Sequence, residues 1–106
     1  MSGLPLSLHA ELEQSAAEVA RIMRLLSNER RLMILCKLAE GEKSVTCLMT
    51  ELGIRQSNVS QQLALLRQEG LVCGRREAQT IYYSLTDGKV RRIMELLYEL
   101  YCAPED

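Results

Sequence analysis

Four cysteines carry the most versatile chemistry in this 106-residue chain: Cys36, Cys47, Cys73 and Cys102. The N-terminus has no cationic start and no long apolar run, so we expect no signal peptide, no membrane span and a cytoplasmic location. Thiols in that compartment are kept reduced, which favours packing, metal or redox roles over structural disulfides. No CxxC motif occurs and His9 is the single histidine, so the sequence predicts neither a metal site nor a cofactor.

A second chemical pattern opens the stretch QSNVSQQLALLR, residues 56–67. Its side chains offer hydrogen bonds without charge, and they are Gln56, Ser57, Asn58, Ser60, Gln61 and Gln62. In the major groove Gln and Asn can bind adenine bidentately, and the first turns of a recognition helix meet the base edges. Taken alone, this pattern is equally typical of a solvated helix start, so its meaning depends on its neighbours.

The charge distribution supports a DNA contact near this stretch. The formal net charge is only −1, which by itself indicates no polyanionic partner. From Arg55 to Arg76, however, four arginines stand against the single acid Glu69. We expect Arg67 and, at the tip of a following hairpin, Arg75, Arg76, Gln79 and Thr80 to face the DNA backbone.

Apolar periodicity, capping residues and glycines define the elements that would position these side chains. They predict helices at about 10–26, 29–40, 45–52, 57–69 and 88–102, and strands at 71–77 and 80–85. The fourth helix starts at Gln56 or Ser57. The predicted core includes Met23, Met33, Met49 and Met94 and, from the second helix, Leu32, Leu35, Cys36 and Ala39.

The order α-α-α-α-β-β-α predicts a mainly helical (α+β) fold, a winged helix-turn-helix. A flexible start at 1–9 precedes one domain at 10–106. A short third helix, a tight turn containing Gly53 and a polar-starting fourth helix form the helix-turn-helix. The last helix is apolar on more than one face, so we expect a second subunit to cover it.

At this point the chain resembles the ArsR family of bacterial transcriptional repressors. The likeness runs from the first helix to the last and rests on SNERRLMIL, SQQLALLRQEGLV and RREAQTIYYSL. The resemblance implies a homodimer formed through the first and last helices. It also implies binding of a double-stranded, palindromic operator by the fourth helix and the wing, with release by an inducer.

Cys36, Cys102 and the closing YELYC are similar to the persulfide- and redox-responsive branch of that family, the SqrR, BigR and HlyU type. This likeness implies that Cys36 and Cys102 are the sensing thiols. It also implies that a reactive sulfur species or an oxidant bridges them by a disulfide or polysulfide. From pattern alone Cys36 fits a buried packing position, and the likeness leaves the roles of Cys47 and Cys73 open.

Other interpretations remain at this stage. A metal-responsive ArsR repressor is one, although Ser44 and Thr46 occupy the positions of a family CxC site and the last helix has no histidine. An anti-silencer that activates by displacing another DNA-binding protein is another. An enzyme is not predicted, since no histidine neighbours a cysteine and no glycine-rich phosphate loop occurs. A protein-interaction module that lost DNA binding is disfavoured by the arginine-bearing hairpin.

Overall fold

Residues 8–102 are described by the computed structural model, and they form five helices and a three-stranded sheet. In chain order the elements are α1 (Leu8–Leu26), α2 (Glu29–Glu40), β1 (Lys43–Ser44), α3 (Val45–Leu52), α4 (Gln56–Gln68), β2 (Val72–Glu77), β3 (Thr80–Leu85) and α5 (Gly88–Tyr101). The predicted winged helix-turn-helix order is therefore confirmed, with one added strand.

The helix starts follow from their capping residues. Asn28, Ser44 and Asp87 each accept a hydrogen bond from a backbone N–H of the helix that follows, at 2.9 to 3.1 Å. Such caps satisfy N–H groups that have no partner within the helix. α1 begins at Leu8, so it starts earlier than predicted and includes His9. The rest of the predicted flexible start, residues 1–7, lies outside the described residues.

The sheet has three antiparallel strands in the order β1-β3-β2, whereas the sequence predicted only the hairpin. β2 and β3 pair from Val72 with Leu85 to Glu77 with Thr80. β1 adds two residues to the other edge of β3, with Lys43 opposite Tyr83. A strand of this length is too short to show a period of two, so the sequence pattern could not reveal it.

The core surrounds α2, which packs against the four other helices and β3. Its fully buried side chains are Ile34, Leu35 and Leu38. Leu35 is thus confirmed as core, whereas Leu32, Cys36 and Ala39 lie at the edge of the cluster and are only partly buried. The inward face of α2 is therefore rotated from the predicted stripe.

The methionines divide between core and surface. Met94 is buried and Met49 packs partly against the core, as predicted. Met23 and Met33 are 46% and 41% exposed, so their assignment to the core was wrong for the single chain. Apolar spacing shows that a helix has an apolar side but not whether the same chain covers it.

Candidate nucleic-acid interface and thiol pair

The helix-turn-helix is formed by α3, a three-residue connection and α4. α3 ends at Gly53, which has φ 67° and donates its N–H to the carbonyl of Met49 at 2.8 Å. Glycine suits this left-handed position because it has no Cβ to clash. The chain can then reverse within Ile54 and Arg55 and start α4 at Gln56.

α4 has a buried side and a polar side. Val59, Leu63 and Leu66 are buried, as the sequence predicted. The first two turns expose the side chains of Gln56, Ser57, Ser60 and Gln61, while those of Asn58 and Gln62 are half-buried. A helix held by apolar contacts on one side can present uncharged donors and acceptors to base edges on the other.

Arg31, which sequence analysis did not single out, connects α2 to this polar side. Its Nε donates to the carbonyl of Leu25 at 2.8 Å, and its Nη1 donates to Gln62 Oε1 at 3.4 Å. Nearby, the Oδ1 atom of Asn58 is buried without a hydrogen-bond partner within residues 8–102. Of the six predicted base-reading residues, Gln62 therefore contacts Arg31 of α2, and Asn58 is partly enclosed by the protein.

Two cations near the start of α4, Arg30 on α2 and Arg55 at the N-cap, were not among the predicted site residues. Arg30 and Arg55 line a polar pocket of about 480 Å³ together with Ser57 and Asn58. Arg55 occupies the N-cap position of α4 and makes no side-chain capping bond there. Backbone N–H groups at this helix end, with two guanidinium groups beside them, suit an anionic partner such as a phosphate.

The wing is the β2–β3 hairpin, which turns at Ala78 and Gln79. Arg76, Gln79 and Thr80 are exposed on it, as expected for residues near a DNA backbone. Arg67 reaches the wing from α4, because a Cβ placed on Gly74 would lie 3.2 Å from Arg67 Nη1. The recognition helix and the wing thus share a cationic edge.

Arg75 lies on the wing too, but its guanidinium already has protein partners. It donates to both carboxylate oxygens of Glu42, at 3.0 and 2.9 Å. It also lies 3.6 Å from Glu77 and 5.2 Å from the centre of the Tyr82 ring. The prediction that Arg75 contacts DNA therefore requires these contacts to open.

Cys36 and Cys102 lie on two helices that pack against each other, Cys36 on α2 and Cys102 at the end of α5. Cys36 is half-buried on α2 and lines an open groove of about 530 Å³ between α2 and α5, together with Met94 and Tyr98. Cys102 is exposed at the end of α5, and its N–H donates to the carbonyl of Tyr98 at 2.9 Å. It therefore lies one helical turn, about 6 Å, beyond a residue that lines the same groove as Cys36.

The two other cysteines have different surroundings. Cys47 on α3 donates a hydrogen bond from Sγ to Glu51 at 3.2 Å, and this contact with the carboxylate raises the pKa of the thiol. The same bond, with Lys43 and Lys37 nearby, lowers the pKa of Glu51. Cys73 on β2 is exposed beside Ser84. All four cysteines lie within the described residues and are free thiols.

The described part of the chain has no grouping of three or more His, Cys, Asp or Glu side chains that could hold a metal ion. His9 is exposed on α1. Among residues 8–102, no helix has the length and apolar character needed to cross a membrane.

Comparison with known proteins identifies the family. The model for "Bacterial regulatory protein, arsR family" matches residues 28–73. The biofilm growth-associated repressor of Agrobacterium fabrum is 47% identical over 95 residues, which are 90% of this chain and 81% of that protein. The chain belongs to the ArsR family. As an ArsR protein it is a DNA-binding transcription regulator and not an enzyme.

Further ArsR relatives agree in sequence and in shape. The transcriptional activator HlyU of Vibrio cholerae is 44% identical over 96% of this chain and 94% of its own length. The crystal structure of the repressor BigR from Xylella fastidiosa superposes with a TM-score of 0.85 at 42% identity, covering 91% of this chain and 98% of that one. The winged helix-turn-helix fold is thereby shown.

The outer faces of α1 and α5 fit an ArsR dimer. On α1 the exposed apolar side chains are Leu12, Val19 and Met23; on α5 they are Leu96, Tyr98, Leu100 and Tyr101. Several exposed apolar side chains on one helix are typical of a protein interface. A similar chain of 33% identity and TM-score 0.69, from Mycobacterium bovis, is described as a homodimeric winged helix-turn-helix DNA-binding domain.

Proposed function

We propose that this ArsR protein is a homodimeric repressor that binds a palindromic operator while Cys36 and Cys102 are reduced and leaves it when they are bridged. The inducer is a reactive sulfur species, a persulfide or polysulfide, or an oxidant. The proposed place of action is the bacterial cytoplasm. The contacts with DNA are made by the predicted residues of α4 and by Arg76, Gln79 and Thr80 of the wing, with Arg55 at the start of α4 and Arg30 on α2 added.

One observation carries the sensing part of the proposal. Cys36 and Tyr98 both line the groove between α2 and α5, and Cys102 lies one turn of α5 beyond Tyr98. A disulfide needs Cα atoms within about 7 Å, and inserted sulfur atoms relax that limit. The end of α5 is therefore a favourable place from which a thiol can reach Cys36, particularly through a polysulfide.

The proposed bridge forms from the two protein thiols and a persulfide, with no further reactant. The Cys36 thiolate attacks the outer sulfur of a persulfide RSSH, and RSH leaves with the proton. The Cys102 thiolate then attacks the Cys36 sulfur, so that a disulfide forms and hydrogen sulfide leaves. Two protein thiols are oxidised, and the persulfide is reduced to a thiol and hydrogen sulfide. If a second persulfide reacts first, the bridge retains one extra sulfur.

A bridge between α2 and α5 can alter the DNA-reading surface, because α2 contacts both α5 and α4. α5 contributes to the proposed dimer interface and packs on α2, to which Arg91 donates a hydrogen bond at the carbonyl of Ala39. At the other end of α2, Arg31 contacts Gln62 on α4. Since two half-sites must dock together about one DNA turn apart, a small change of subunit geometry weakens both contacts.

The first prediction tests this pair. Cys36→Ser and Cys102→Ser dimers bind a duplex that the wild-type protein selects from a random-sequence pool, but they stay bound after addition of persulfide. Cys47→Ser and Cys73→Ser are the matched controls and are released like the wild type. Mobility shift assays measure release from the duplex. Intact mass spectrometry with peptide mapping detects the bridge between Cys36 and Cys102. Normal release of both Cys36 and Cys102 variants contradicts the sensing proposal.

Transcription activation is the second candidate function, favoured by the 44% identity to the activator HlyU. In this case the protein displaces another DNA-binding protein rather than blocking polymerase. Transcription in vitro from a promoter that carries the selected site separates the two. A repressor lowers transcription from the naked template, whereas an anti-silencer leaves it unchanged and restores it only when a silencing protein has been added.

A further inference from the structure

Glu42 and Arg75 join two parts of the chain that are 33 residues apart, the turn before β1 and the strand β2. Arg75 Nε donates to Glu42 Oε2 at 3.0 Å and Arg75 Nη2 donates to Oε1 at 2.9 Å. A fork of two parallel bonds fixes the direction of both side chains better than one contact does. The Tyr82 ring, opposite Arg75 in the hairpin, lies under the same guanidinium.

This contact leaves Arg75 with little positive charge to offer a phosphate. Glu42 and Glu77 place two carboxylates near one guanidinium. The pairing lowers the pKa of Glu42 and raises that of Arg75, so both groups stay charged at neutral pH. Arg76 differs, because it points to the other face of β2 and has no carboxylate partner among residues 8–102.

The pairing that holds the wing at the β1 edge of the sheet is short. β1 pairs with β3 through only two residues, Lys43 and Ser44, and so holds the hairpin along a short length. Glu42 is the next residue before this pairing, and its bond to Arg75 spans from that edge across β3 to β2. The ion pair thus crosses the whole width of the sheet.

We propose that Glu42 is a positioning residue for DNA binding: it holds Arg75 so that the wing keeps a fixed direction, and Arg76 is the wing cation that meets the backbone. This inference rests on the DNA binding in the proposed function but not on its thiol switch. Arg75 then acts through Glu42 and not through a phosphate.

Salt dependence distinguishes the two arginines. The affinity of each variant for the selected duplex and for a mixed-sequence duplex is measured across salt concentrations. Arg76→Ala lowers the log–log salt slope by about 1.8 for the two wings of a dimer, at about 0.9 per phosphate contact. Arg75→Ala lowers the affinity about 3-fold, as expected for loss of an exposed pair, and leaves the slope unchanged. A slope that falls equally for Arg75→Ala overturns the inference.

The charge swap Glu42→Arg with Arg75→Glu provides the rescue test. It keeps the net charge and the pairing, so affinity returns to within about 2-fold of the wild type. Glu77→Gln is the matched control, because that carboxylate lies farther from Arg75, at 3.6 Å, and is expected to change little. If Arg75 contacts phosphate, the swap instead binds DNA worse than Arg75→Ala.

Hydrogen exchange of the protein without DNA measures directly whether Glu42 holds the wing in place. Glu42→Gln speeds the exchange of backbone amides in β2 and β3 and leaves those of α2 unchanged, because the anchor is lost while the core remains. Unchanged exchange in the hairpin overturns the inference whatever the DNA result. If the wild-type protein selects no duplex at all, the proposed function fails, and this exchange experiment still decides the role of Glu42.

Discussion

The thiol of Cys47 donates its hydrogen to the carboxylate of Glu51, an arrangement that keeps a thiol protonated. A negative charge beside sulfur disfavours the thiolate, which is the form that attacks persulfides and alkylating agents. The raised pKa therefore means slower reaction at neutral pH. At the scale of the residue, this contact fits the proposed function, in which Cys36 and Cys102 react with the inducer and Cys47 does not.

The second prediction tests that contact. Glu51→Gln removes the charge and lowers the pKa of Cys47, so the rate of alkylation by iodoacetamide at pH 7.5 rises, and the midpoint of its pH profile moves down. Peptide mass spectrometry reads the rate at each cysteine. Glu40→Gln is the control, because Glu40 pairs with Lys37 and Lys43 but not with Cys47. Equal rates in wild type and Glu51→Gln contradict the assignment.

Individual site residues were predictable by type but not by partner. The sequence indicated the polar start of α4 and the arginines of the hairpin, because hydrogen-bonding and charge are properties of the side chain itself. It could not show that Arg75 is held by Glu42 or that Arg31 reaches Gln62, since these partners are 33 and 31 residues apart. Such pairs depend on the packing of whole elements.

At the scale of the element, α4 differs from α2, α3 and α5 in its missing cap. Arg55 has the extended backbone of an N-cap residue, with φ −66° and ψ 151°, yet its side chain makes no capping bond. Serine, threonine, aspartate or asparagine usually occupies this position. An arginine there leaves backbone N–H groups open and adds a cation, which favours a phosphate partner at the expense of helix stability.

The third prediction tests this balance between helix stability and DNA affinity at Arg55. Arg55→Ser supplies a capping oxygen and raises the free energy of unfolding by about 1 kcal/mol. The same change removes a cation from each subunit, and the DNA salt slope falls by about 1.8 for the dimer. Urea denaturation and DNA titration measure the two effects. Asn28→Ala, which removes an existing cap from α2, is the opposite control and lowers stability by about 1 kcal/mol.

Capping made the element boundaries predictable. The structure has N-caps at Asn28, Ser44 and Asp87 and helix ends at Gly41 and Gly53. Residues of these types act locally through their own backbone and side chain, so the sequence could indicate the boundaries to within a residue or two. β1 was missed because it exists only through its pairing with β3. The exposed Met23 and Met33 were misplaced for a related reason, since covering an apolar face depends on what packs there.

At the scale of the whole molecule, the exposed apolar side chains of α1 and α5 favour the proposed dimer. Leu100 is 64% and Tyr101 80% exposed, which is costly for a free monomer. The proposed dimer covers them and sets the distance between the two copies of α4. Stability and DNA affinity are then both coupled to subunit concentration.

The fourth prediction is that Leu100→Glu gives a folded monomer, because a carboxylate buried without a partner opposes association. Its affinity for a palindromic duplex falls by about 100-fold or more, since the second half-site no longer binds as part of one unit. Analytical ultracentrifugation and DNA titration measure this. Met33→Glu is the matched control for the oligomeric state, since Met33 is an exposed apolar residue outside α1 and α5. A dimeric Leu100→Glu protein with normal DNA affinity contradicts the assigned interface.

The chain contains no tryptophan and four tyrosines, of which two lie on β3 and two near the end of α5. Tyr98 borders the groove that holds Cys36 and precedes Cys102 by one turn. Tyr82 lies beneath Arg75 on the wing. The emission of the unlabelled protein under ultraviolet excitation therefore originates on the wing and near the end of α5. Single Tyr→Phe replacements can assign a change in emission to DNA binding or to the proposed reaction of Cys36 and Cys102.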